Sequence, residues 1–184
     1  MNSLTRYYNT IISKYRLYRD TAFLNRVVEN KQWIRLEDGG IYTVGSVYLA
    51  GDSKAHRLIG KTIFFKEVGG NFSISYNAKI TSLKGCPEIV RGSFDCSWTN
   101  IDSLQGAPKE VGGSFYCTGT KITSLEGAPE KVGRAFECWD TKTLTSLKGS
   151  PKEVGGYFDC SDTKITSLDG IGEVKGTIYS DLEI

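Results

Sequence analysis

One interval constrains this chain more than anything else in it. From about residue 68 onward, the same order of side chains returns every 21 or 22 residues. A Ser-Leu pair followed by x-Gly sets Leu83, Leu104, Leu125, Leu147 and Leu168 in one column. Phe72, Phe94, Phe115, Phe136, Phe158 and Ile178 form a second, with Val68, Val90, Val111, Val132, Val154 and Val174 four residues ahead. Two residues after the aromatic column come Ile74, Cys96, Cys117, Cys138, Cys160 and Ser180. Asn77, Thr99, Thr120, Thr141 and Thr163 follow, and then Ile80, Ile101, Ile122, Leu144 and Ile165. A period of this length is the mark of a solenoid, in which no coil buries its apolar side without a neighbour above and below.

Composition falls into the same frame. Of 21 Gly, ten lie in two columns, at 85, 106, 127, 149, 170 and at 70, 92, 113, 156, 176, the second interrupted by Arg134. Glycine at recurrent corners permits tight turns. All 4 Pro (Pro87, Pro108, Pro129, Pro151) share one position, which must be a bend because Pro cannot donate to a ladder. The run Ser93-Phe94-Asp95-Cys96-Ser97 alternates with period two and predicts a strand with Phe94 and Cys96 inward and Ser93, Asp95 and Ser97 outward. Extra residues near 77–80 and 141–144 fall after the strand, where a loop absorbs them.

Residues 4–30 contain no Gly or Pro, and Leu4, Tyr7, Tyr8, Ile11, Ile12, Tyr15 and Tyr18 follow helical spacing. Asp20 is placed to cap a second short helix carrying Leu24, Val27 and Val28. Trp33–Leu36 and Ile41–Leu49 flank Glu-Asp-Gly-Gly and predict a hairpin, with Val44–Leu49 as a degenerate coil. An insertion around 52–57 follows, and its His56 is expected to be a loop residue. The expected fold is a mainly β solenoid with an N-terminal helical cap. Residues 1–66 form the cap, hairpin and degenerate repeat, and 67–184 the solenoid.

Phe72-Ser-Ile74-Ser-Tyr-Asn77 resembles the leucine-rich-repeat signature L-x-L-x-x-N, and Ile80-Thr-Ser-Leu83 resembles the I-x-x-L of short, internalin-like repeats. Later copies replace the signature by Phe-x-Cys-x-x-Thr. Ile122–Pro129, together with Val111–Phe115, is similar to repeat proteins encoded by tailed bacteriophages. That resemblance implies leucine-rich-repeat-like coils of 21–22 residues and a role in binding and inhibiting a host defence or regulatory protein in the host cytoplasm.

Several chemistries are not expected. Five Cys without a C-x-x-C pair argue against a disulfide framework or a zinc site. A single His leaves no His-based triad, so neither enzyme activity nor a metal or cofactor is expected. Inward Cys beside Phe reads as a small buried hydrophobe, and thiols that stay reduced fit a cytoplasmic location. No apolar run approaches the roughly 20 residues of a membrane span.

The candidate site lies on the outward strand positions. Among mostly small residues, Asp95, Tyr116, Glu137, Trp139, Tyr157, Asp159 and Tyr179 stand out as a protein-binding face, because Tyr and Trp are common interface anchors. The carboxylates favour a partner with a basic surface. Residues 1–35 carry net charge +5 in a chain of +2, so nucleic-acid association through the basic N-terminal helix is the alternative. A third reading is a structural subunit in which the C-terminal edge pairs two copies as a homodimer. Lys/Glu pairs beside each Pro are expected to form a solvated back surface.

Overall fold

A computed structural model describes residues 21–52 and 54–182. The expected helix over 4–18, and Asp20 as a cap, lie outside the described residues. Helix α1 covers residues 21–27. It buries Phe23, Leu24 and Val27, with Val28 just beyond it, on the face turned to the first coil. A one-turn 3-10 segment, Glu29–Lys31, leads into β1 (Trp33–Arg35), which pairs antiparallel with β2 (Ile41–Thr43) as the expected hairpin. β3 (Val47–Tyr48) completes the first coil, and α2 (Ala55–Leu58) folds the insertion against it through buried Ala55 and Leu58. His56 thus sits on a short helix rather than in a loop.

The remaining strands alternate between two positions. One set is β4 (Phe65–Val68), β6 (Ile89–Val90), β8 (Glu110–Val111), β10 (Lys131–Val132), β12 (Glu153–Val154) and β14 (Glu173–Val174). The other is β5 (Phe72–Ser73), β7 (Phe94–Asp95), β9 (Phe115–Tyr116), β11 (Phe136–Glu137), β13 (Phe158–Asp159) and β15 (Ile178–Tyr179). Each set stacks into its own sheet, ordered β1-β2-β4-β6-β8-β10-β12-β14 and β3-β5-β7-β9-β11-β13-β15. Every pairing after the hairpin is parallel, and columns meet in register: Phe94 with Phe115, Phe115 with Phe136, Phe136 with Phe158. The chain is a parallel β-solenoid with two sheets.

The second sheet departs from the sequence reading. The Lys/Glu positions beside Pro face solvent as expected, but one of each pair (Glu110, Lys131 and Glu153) lies on a strand of this sheet, β8, β10 or β12, three residues ahead of the aromatic sheet. Val111, Val132 and Val154 point inward from it, while the charged neighbours face out and pair between coils. Lys131 and Lys175 both reach Glu153, at 2.8 and 2.6 Å, and Lys152 reaches Glu130 at 2.7 Å. Such exposed pairs contribute at most about 1 kcal/mol each, so register rests on the interior.

That interior is a ladder. Phe72, Phe94, Phe115, Phe136 and Phe158 are fully buried and stack with ring centroids 5.0–5.7 Å apart and planes within 13° of parallel. Phe65 closes one end edge-on, at 5.2 Å from Phe72. Burial of each ring is worth about 2–3 kcal/mol, and offset stacking adds to it.

Polar groups inside are satisfied coil by coil. Most of the Thr column bonds within its own coil: Thr99, Thr120 and Thr163 donate to the carbonyls of Cys96, Cys117 and Cys160 at 2.7–2.8 Å, while Thr141 reaches Cys117 O of the preceding coil at 3.5 Å. Each coil then turns through Leu-x-Gly-x, closed by bonds such as Ala107 N–H to Leu104 O and Ala128 N–H to Leu125 O. Gly85, Gly106, Gly127, Gly149 and Gly170 hold φ of 86–93° there, the second central position of a type II turn. The buried prolines follow two residues later and bend the chain into the next strand. Both one-residue insertions close as small turns, Ile80 N–H to Asn77 O and Leu144 N–H to Thr141 O.

Candidate functional site

Strands two residues long limit how far alternation can carry. The residue between Phe and Cys faces out in every coil, so Tyr48, Ser73, Asp95, Tyr116, Glu137, Asp159 and Tyr179 form one in-register line across the aromatic sheet. The position after Cys behaves otherwise. Ser75, Ser97 and Thr118 are buried, not outward as alternation predicts. The reason is the next residue: Tyr76, Trp98, Gly119, Asp140 and Asp162 all have φ of 52–64°, a left-handed corner that swings the chain round. Ser114 and Ala135, which share the column of Ser93 and would face out with it, are buried as well.

Four of the seven predicted site residues come together. The Glu137 carboxylate accepts hydrogen bonds from the Tyr157 hydroxyl and, at 3.2 Å, from Trp139 Nε1. Tyr179 sets its ring edge-on to Tyr157 at 5.7 Å. Trp139, Tyr157 and Tyr179 are 36%, 38% and 50% exposed, so this aromatic group is held in place yet open to solvent. The bond to the Glu137 carboxylate, with some desolvation, pushes the Tyr157 phenol up from 10.0 to about 12. Trp139 breaks the buried pattern of its column because an indole cannot occupy a space made for Ser or Thr.

The other three do less. Tyr116 is half-buried beside Glu137 in the line. Asp95 accepts from the Ser97 N–H at 2.9 Å, and Asp159 from the Ser161 N–H at 3.0 Å and the Ser161 hydroxyl at 2.5 Å. These two carboxylates therefore shape the end of their own strands, two residues on, as Asx turns do.

Tyr76 and Trp98 were missed by the sequence reading. They stack at 6.4 Å with planes 19° apart on the left-handed corner, with Tyr76 71% exposed. Trp98 lies over the next corner, where Gly119 leaves room: a Cβ there would stand 2.5 Å from the indole. The signal was present in the column itself, since Gly119, Asp140 and Asp162 follow the two aromatics in it, and those residue types favour a left-handed backbone.

The basic N-terminal residues 6, 14, 16 and 19 lie outside the described residues. Arg26, just after them, is engaged at 2.6 Å with Asp52 and stacks over Phe23. Among the described residues no group of three His, Cys, Asp or Glu is placed to hold a metal ion, and no helix is long and apolar enough to cross a membrane. No protein family, curated protein or solved structure matches the chain.

Proposed function

We propose that this protein is a non-enzymatic binding module that docks a protein partner on its aromatic sheet. The observation that carries the reading is the Tyr157–Glu137–Trp139 group, two exposed aromatics fixed by one carboxylate on a rigid ladder. Aromatic anchors already held in one rotamer lose little freedom on association, which is how small patches reach useful affinity. Glu137, Asp95 and Asp159 leave the face acidic, so the partner presents a basic surface. The likeness of its coils to leucine-rich repeats, and of their wording to phage-encoded repeat proteins, makes that partner a host defence or regulatory protein in the cytoplasm, blocked sterically.

Affinity capture from host cells with the intact chain, beside a Trp139→Ala/Tyr116→Ala chain, tests this. The expected result is a captured protein lost from the variant while circular dichroism and melting stay unchanged. Equal capture by both chains removes the aromatic sheet from the reading.

A further inference from the structure

The lysines of the solenoid divide into two groups. Lys66, Lys131, Lys142, Lys148, Lys152 and Lys175 each touch a carboxylate within 4 Å, mostly on a neighbouring coil. Lys109, Lys121 and Lys164 have no ion pair among the described residues, nor do Lys61, Lys79 and Lys84, and only the last three lie along one cavity. With His56 they line a half-open cavity of about 290 Å³ where the α2 insertion folds over the coils that begin with β5. No carboxylate lines it, and its floor is apolar, built from Ile59, Ile74 and Ile80. Thr81 and Ser82 add hydroxyls at the wall.

Three lysines thus share the lining of one concavity that contains no carboxylate. His56 adds a further mark: its Nδ1 is buried and has no hydrogen-bond partner. From this cluster, cavity and unpartnered nitrogen we propose a binding site for a phosphate group, either free or as the monoester of a small organic molecule. Phosphate suits the geometry because its several oxygens engage several ammonium donors at once, and charge-assisted hydrogen bonds above an apolar floor are the strong ones. The volume holds the group and leaves room for a small organic body beside it.

His56 reports occupancy. Desolvation, together with Arg57, Lys79 and Lys61, keeps its imidazole below the ordinary 6.5. A bound dianion opposes those three charges, so filling the site moves the imidazole titration upward. It is the only histidine in the chain, so its proton resonances are unambiguous.

The experiment is calorimetric titration of the full chain with inorganic phosphate, and separately with phosphoserine, at constant ionic strength. Saturable binding of either is expected, weakened about tenfold or more by Lys79→Gln and by Lys61→Gln. Lys148→Gln, at a lysine paired with Glu126, leaves it unchanged. Preference for inorganic phosphate makes the free ion the ligand; preference for the monoester gives the phosphate an organic body. The His56 titration, followed by NMR, rises with either ligand. The proposal is overturned by an absence of saturable binding below about 10 mM, by equal binding in the lysine variants, or by a His56 curve that phosphate does not move. All three lysine side chains are exposed, so these substitutions do not disturb the fold.

Discussion

At the scale of single residues, the buried thiols give the clearest consequence. Cys86, Cys96, Cys117, Cys138 and Cys160 are all free and buried. Desolvation, reinforced for Cys96, Cys117 and Cys138 by neighbouring carboxylates and thiols, pushes those three well above the ordinary 9.0, and Cys160, nearer the end, up to about 11. A group whose folded pKa is raised keeps its proton in the folded chain after the unfolded chain has lost it. Its contribution is therefore fully present below about pH 9 and is lost as pH rises toward the folded value. Denaturant midpoints measured from neutral pH upward are expected to fall beyond about pH 9, and Cys117→Ala makes that fall shallower by one proton. Alkylation of the native chain should reach Cys160 before Cys96, Cys117 or Cys138. Most of this was legible, since a Cys column beside a Phe column has no other place than the interior. Ser75, Ser97 and Thr118 were not, because alternation stops after two residues and nothing about a Ser shows which way it turns.

At the scale of the element, the unit is a corner rather than a strand. Each coil contains two strand pieces of two residues, mostly, and the turns between them fix the register. The five glycines near φ 90° occupy a conformation that side chains rarely adopt, and at Gly127 an added Cβ would also stand 2.7 Å from the Gln105 backbone nitrogen. Gly127→Ala is expected to cost about 1–3 kcal/mol, read as a lower melting temperature with native ring stacking retained in the outer coils. Gly119 is different. Its φ of 64° is shared by Asp140 and Asp162, so its substitution meets the Trp98 ring rather than the backbone. The glycine columns announced corners from sequence alone. The second sheet did not announce itself, because Glu110-Val111 or Lys131-Val132 is too short a run to show a period.

At the scale of the whole molecule, stability is close to a sum over coils and the faces between them. Removing residues 107–127 takes out one repeat of 21 and joins Gly106 to Ala128, two places in the same frame. That shortened chain is expected to fold, with a lower midpoint and the remaining Phe rings still in line, as judged by circular dichroism and chemical denaturation. Removing only residues 117–127 leaves Phe136 out of step with Phe115, and the same measurements should show a chain that no longer melts cooperatively. The period made this scale the most legible of the three. The candidate face was legible in outline, as an outward line holding Tyr116, Glu137, Asp159 and Tyr179. Its closure through Tyr157 and Trp139 depended on side-chain reach across a coil, which spacing does not encode.

The in-register line across the aromatic sheet is also a graduated scale. Each coil advances it by about 4.8 Å, so Tyr116, Glu137, Asp159 and Tyr179 stand at equal divisions, read in order as phenol, carboxylate, carboxylate and phenol. A body spanning all four that slides along this scale by one division meets a carboxylate where it had met the Tyr116 phenol, and the Tyr179 phenol where it had met the Asp159 carboxylate. Displacement in smaller amounts meets the gaps between side chains. Whatever lies on this face is therefore indexed to one position along the axis, and lengthening the solenoid by whole coils extends the scale without changing the divisions already ruled.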